Sequence, residues 1–137
     1  MELRERNGGY AIDLAGCELN IVYADGYSVT LSIARLAGEG GETAELRIEC
    51  EFFVDSMRLD PEEPTEMPSL LALLREPVQM AEVAQDGELS IAFNTRTLRV
   101  PPSSRFEAWQ MTTPSFMAVC TPGGSVAVWG QVNSAAE

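Results

Sequence analysis

The chain contains no histidine and no lysine. The first absence removes the side chain that most often moves protons near neutral pH. The second removes Schiff-base chemistry and leaves arginine as the one basic side chain. Cysteine is scarce as well. Cys17, Cys50 and Cys120 are odd in number and widely spaced, with no Cys-x-x-Cys, a pattern of reduced thiols in a cytoplasmic protein and not of a disulfide framework. No apolar run approaches the ~18–20 residues of a membrane span. Residues 1–9 carry charges with no apolar stretch behind them, so no secretory signal is expected.

What is present is acid. Twenty-one carboxylates face nine arginines, for a formal net charge of −12. Ten of them, Glu39, Glu42, Glu45, Glu49, Glu51, Asp55, Asp60, Glu62, Glu63 and Glu66, fall within residues 39–66, opposed only by Arg47 and Arg58. That segment therefore holds −8 of the −12. Such a surface repels nucleic acid and anionic membranes and attracts a basic partner. The 137 residues, with 45% hydrophobic and 22% charged content, suit one domain with a real core. The expected core spans about 10–131, with an acidic loop at 55–68 and a frayed tail at 133–137.

Period-two alternation dominates the chain. Tyr27, Val29, Leu31 and Ile33 alternate with hydroxyl residues, and across 44–52 Leu46, Ile48, Cys50 and Phe52 oppose Glu45, Arg47, Glu49 and Glu51. Asp25-Gly26 and Asp86-Gly87 each sit between two such runs and predict hairpins. Both end a Val-x-x-Asp-Gly string, at Val22 to Gly26 and Val83 to Gly87, a weak sign of a repeated strand meander, which chance similarity explains equally well. Residues 68–75, leucine-rich and bounded by Pro68 and Pro77, predict the one helix, whose leucines would cover an open sheet face. Two further strands, 116–121 and 125–131, flank Pro122-Gly123-Gly124. The fold class expected is mainly β, bordering on α+β: antiparallel hairpins forming a sandwich or a partly closed barrel with one short helix.

Catalytic constellations are thin. Glu107 lies beside aromatics in Phe106-Glu107-Ala108-Trp109, but a carboxylate pair cannot be built from sequence, and the simpler reading has Phe106 and Trp109 anchoring a segment at the core edge. The cysteines read as buried, inert thiols. Neither a zinc set nor a calcium loop has the required residues and spacing, and no cofactor or metal is expected. The string at residues 38–42 lacks the strand-then-helix frame of a phosphate cradle. Trp109 and Trp129 are expected to close the two ends of the core.

The C-terminal residues carry a resemblance. Val100-Pro101-Pro102, Glu107-Ala108-Trp109 and the closing Pro122-Gly123-Gly124 followed by Trp129 resemble a small uncharacterised bacterial family, common in actinobacteria, over most of residues 10–130. The resemblance implies a fold stabilised by Phe106, Trp109, Gly123, Gly124 and Trp129 and transfers no catalytic residues. Some such small acidic proteins resemble immunity proteins encoded beside toxins. The functional expectation is therefore a cytoplasmic, non-enzymatic, acidic protein-binding domain of the immunity type. Its ten clustered carboxylates would form the contact pool for a basic protein such as a cognate toxin. The alternative is an accessory or structural subunit, with a homodimer as one form, whose acidity serves solubility.

Overall fold

The computed structural model of the protein describes residues 1–35 and 41–134. Among these residues thirteen strands form two antiparallel sheets packed face to face, a sandwich in which no barrel closes. In chain order these are β1 (Leu3–Arg6), β2 (Gly9–Ile12), β3 (Glu18–Ala24), β4 (Val29–Ala34), β5 (Thr43–Ile48), β6 (Phe52–Val54) and β7 (Met57–Leu59), then β8 (Val78–Val83), β9 (Leu89–Phe93), β10 (Thr97–Val100), β11 (Trp109–Thr112), β12 (Phe116–Cys120) and β13 (Val126–Gly130). One sheet runs β1-β2-β8-β9-β10-β6-β7, the other β13-β12-β11-β5-β4-β3.

Alternation decides which face is inside. In β5, Ala44, Leu46 and Ile48 are buried while Thr43, Glu45 and Arg47 are exposed. The register carries that choice across each sheet. Leu31, Leu46, Met111 and Ala118 pair in one inward row of the six-stranded sheet. Leu3, Ile12, Ala81, Ile91, Leu98 and Val54 do the same in the seven-stranded sheet. The core thus includes Met1 and Leu3, ahead of the boundary expected near residue 10. The β1–β2 hairpin turns on Asn7-Gly8, at φ 51° and 80°, the pair that a two-residue turn with two left-handed positions selects.

Both Val-x-x-Asp-Gly strings lie in three-stranded meanders, β3-β4-β5 and β8-β9-β10, on opposite sheets. Their turns differ. Asp25 pairs with Ser28, leaving Gly26-Tyr27 at the tip, whereas Asp86 is itself at the tip and Gly87 forms the bulge after it.

The helix departs from expectation in type and start. It is a 3₁₀ helix over Pro64–Leu73. Met67, Leu70 and Leu73 are its buried residues, and a spacing of three keeps side chains in one line on a helix with three residues per turn. Leu71 and Leu74 consequently face solvent. The segment after it lies along the first half of the β3 edge, where the Arg75 N–H donates to the Leu19 carbonyl at 2.7 Å. Met57–Leu59, inside the expected acidic loop, is strand β7, paired with β6 across a turn in which Asp55 adopts φ 54°.

At the C-terminus, Asn133 is not frayed. Its N–H donates to Leu3 O at 2.8 Å and its carbonyl accepts from Glu5 N–H at 2.9 Å, covering the β1 edge. No helix among the described residues is long and apolar enough to cross a membrane.

Candidate binding surface at one end of the sandwich

The chain crosses between sheets twice at the same end. Residues 49–51 lead from β5 to β6, and residues 101–108 lead from β10 to β11. Glu49 N–H donates to the Ala108 carbonyl at 3.3 Å, so the crossings lie side by side. The first crossing corrects the expectation of one long strand over 44–52. Because β5 ends at Ile48, Cys50 leaves the inward row and lies half-buried, its Sγ 3.8 Å from the Glu107 carbonyl.

Six of the ten sequence-selected carboxylates gather here. Glu49 and Glu62 line one groove with Tyr27, Ser28, Arg47 and Phe106, about 270 Å³ in volume. Glu51, Asp60, Glu63 and Glu66 surround Arg58 in a second groove of about 210 Å³. The rest lie elsewhere. Glu45 is on the outer face of the six-stranded sheet, opposite Ser32 and Thr112. Asp55 is at the β6–β7 tip, away from Asp60, and accepts the Thr97 N–H at 2.9 Å. Glu42 sits at the start of β5, 3.6 Å from Arg35 and 3.3 Å from the Met1 nitrogen. Glu39 falls outside the described residues.

Part of the cluster is committed to the fold. Glu66 Oε1 accepts the Asp60 N–H at 2.8 Å, and Asp60 Oδ1 accepts the Glu62 N–H at 2.9 Å, which fixes the acidic loop after β7. Arg58 is in close contact with Glu51, and that carboxylate pushes its guanidinium pKa further up. Arg47 pairs with Glu49 at 3.0 Å. Glu62 and Glu63 are exposed and have no ion-pair partner among the described residues.

Two aromatics stand beside the carboxylates, and the reading of sequence placed neither there. Tyr27 is 75% exposed at the β3–β4 tip. Its position is set by Asp25, whose Oδ1 accepts the Ser28 and Tyr27 N–H groups at 2.8 and 2.9 Å, and these bonds lower the Asp25 pKa. Phe106 is 61% exposed on the second crossing, its N–H donating to Ser103 Oγ at 3.2 Å, so it does not anchor the core edge. The anchoring falls to Ala108 and Trp109, both buried. Trp129 is also a correction. Position 129 pairs with Met117 on the outward row of an edge strand, which leaves its indole exposed and not closing the core. The unbroken apolar run at 126–129 carries no alternation that could have told the faces apart.

Gly123 and Gly124 form the β12–β13 turn at φ 93° and 99°, and Gly124 backs directly onto the β8–β9 turn.

The thiols offer no activated nucleophile. Burial raises the pKa of Cys17, Cys50 and Cys120 alike, and all three are free. Glu107 is exposed and makes no ion pair among the described residues. No group of three or more Cys, Asp or Glu among the described residues is arranged to hold a metal ion.

The family of unknown function DUF6188 matches residues 10–130. The chain belongs to that family. Its matched span runs from β2 to the end of β13, taking in both crossings and every element of the acidic end. No curated protein and no solved structure matches the chain.

Proposed function

We propose that the acidic end of this DUF6188 domain binds a basic protein, and that the domain is a non-enzymatic, immunity-type inhibitor that occludes the active cleft of a basic toxin in the bacterial cytoplasm. The observation that carries this reading is the meeting of six carboxylates with the exposed Tyr27 and Phe106 on one end of the sandwich. Carboxylates give long-range steering and charge pairing, while aromatics are the residues on which interface energy concentrates. The backbone beneath Tyr27, Glu62 and Phe106 is held by turn hydrogen bonds, so little backbone ordering opposes docking.

The test is affinity capture from the native host with wild-type bait and with a Glu49→Gln, Glu62→Gln, Glu63→Gln bait, followed by assay of the captured partner. A single basic, stoichiometric partner, lost with the neutralised bait and inactivated by the wild-type domain, is the expected outcome. A partner retained by the neutralised bait would sink the reading.

A second reading, an accessory subunit that self-associates, draws on a different feature. β3 is an edge strand, and beyond the part covered by residues 75–77 it exposes Ile21 and Tyr23. A dimer mass in light scattering, insensitive to salt and abolished by Ile21→Lys, would favour it.

A further inference from the structure

We infer that the groove between the β3–β4 tip and the second crossing is a socket for an arginine side chain of the protein partner. This rests on the reading of the acidic end as a protein-binding surface and names the chemistry of one contact. Tyr27 and Phe106, distant in sequence, come to the same groove, and both leave most of their surface in water. Both rings stand on backbone held by turn hydrogen bonds. Tyr27 sits at the tip of a turn clamped by Asp25, and Phe106 ends a turn clamped by Ser103 and precedes the buried pair Ala108 and Trp109.

The charged lining of the same groove selects the occupant. Glu49 and Glu62 contribute carboxylates, and Arg47 at 3.0 Å from Glu49 compensates one of them, leaving Glu62 without a cation partner among the described residues. An apolar side chain entering here would desolvate Glu62 and return nothing. An anionic one would be repelled. A cation would satisfy Glu62 and meet the aromatic lining of the groove as well. Among cations, the planar guanidinium both stacks on rings and offers a fork of donors to a carboxylate, which an ammonium does not. The Arg47–Glu49 pair shows that this lining already holds a guanidinium against a carboxylate.

The experiment is a titration of the isotope-labelled 137-residue protein with three capped pentapeptides, Gly-Gly-Xaa-Gly-Gly, in which Xaa is arginine, lysine or citrulline. The expected result is arginine-dependent shifts concentrated at the amides of Tyr27, Ser28, Glu62 and Phe106. Citrulline, neutral and nearly isosteric, should bind about tenfold more weakly or not at all, with lysine between. Tyr27→Ser with Phe106→Ser, both at exposed positions, should weaken the arginine peptide by about tenfold while the remaining spectrum holds. Glu62→Gln should weaken it without touching either ring. Shifts spread evenly over Glu51, Glu63 and Glu66, equal binding of citrulline, or no binding of any peptide would overturn the socket. The protein-binding reading has its own arm. If the Tyr27→Ser, Phe106→Ser bait still captures the partner that the carboxylate-neutralised bait loses, the acidic surface stands and the socket falls.

Discussion

The indole N–H of Trp109 donates to the backbone carbonyl of Gly87 at 3.0 Å, joining the first strand after the second crossing to a hairpin turn of the other sheet. A sandwich gains little from backbone hydrogen bonds between its layers, because strands bond sideways within a sheet. This bond is therefore a buried side-chain tie between the two layers near the acidic end. Trp109→Phe would keep most of the apolar volume and strand the Gly87 carbonyl. The expected loss is about 1–3 kcal/mol, plus a smaller amount for the missing ring volume. Urea unfolding followed by circular dichroism should show a lower midpoint with an unchanged slope. An unchanged midpoint would mean that water replaces the indole freely.

The same corner separates two adjacent glycines. Both Gly123 and Gly124 have left-handed φ, but a Cβ on Gly123 meets open space, whereas one on Gly124 would overlap the Asp86 carbonyl oxygen. Gly123→Ala should therefore lose only the backbone term, about 1–2 kcal/mol. Gly124→Ala should lose more, because the β8–β9 and β12–β13 turns must separate. Thermal denaturation of the two variants gives the ordering directly, and equal losses would remove the close turn-to-turn packing as a stabilising feature.

How much of this was legible follows from which signals are local. β4, β5 and β9 alternate cleanly, and their inward residues Leu31, Leu46 and Ile91 are where the pattern puts them. The Asn7-Gly8 turn was equally legible by the standard of turn chemistry, and only the polar look of Leu-Arg-Glu-Arg hid strand β1. Strand β7 was not legible. Its turn uses Asp55 at positive φ where no glycine signals it, and its residues sit among prolines and acids. The break at Cys50 was hidden because alternation continues through a crossing that changes sheets. The grouping of the acidic end depends on both crossings, so no window of sequence could show Tyr27 beside Phe106 and Glu62. Nor could it separate Asp55 and Glu42 from the cluster.

Asp25 ties the fold of the β3–β4 tip to pH. The Ser28 and Tyr27 N–H bonds hold its folded pKa below the unfolded value of about 3.9. A depressed carboxyl contributes stability that is complete above the unfolded pKa and is lost as pH falls through the folded one. The advantage of wild type over Asp25→Asn should thus be constant near pH 6 and shrink below about pH 4. Urea midpoints of both proteins across pH 6 to 3 would show it, and a difference that never changes would assign the turn to geometry alone.

Buried thiols make a chemical prediction. Cys17 and Cys120 are buried and Cys50 half-buried, and burial raises all three pKa values. Less thiolate and less access both slow attack on a disulfide reagent. In the native protein one thiol, Cys50, should react, and more slowly than free cysteine. The other two should appear only on unfolding, with rates set by opening. Fast labelling of Cys17 or Cys120 without denaturant would contradict the packing described.

The charge of the acidic end should be visible in kinetics before it is visible in affinity. Asp60, Glu62 and Glu63 lie beyond β7, and Asp60 Oδ1 accepts the Glu62 N–H, so Asp60→Asn keeps an acceptor where Asp60→Ala would not. The triple variant Asp60→Asn, Glu62→Gln, Glu63→Gln should therefore fold with stability within about 0.5 kcal/mol of wild type. Against the captured basic partner, its association at low salt should slow by about tenfold or more, because steering acts on encounter. Added salt screens the same field, so the wild-type rate should fall steeply between low and physiological ionic strength while the variant's changes little. Asp60 and Glu63 lie outside the groove of Tyr27 and Phe106 and should act on association alone, whereas Glu62 lines that groove and its neutralisation should also speed dissociation. Stopped-flow mixing across a salt series separates these terms. Parallel salt slopes for the two proteins would place the contact outside this end of the sandwich and turn attention to the β3 edge.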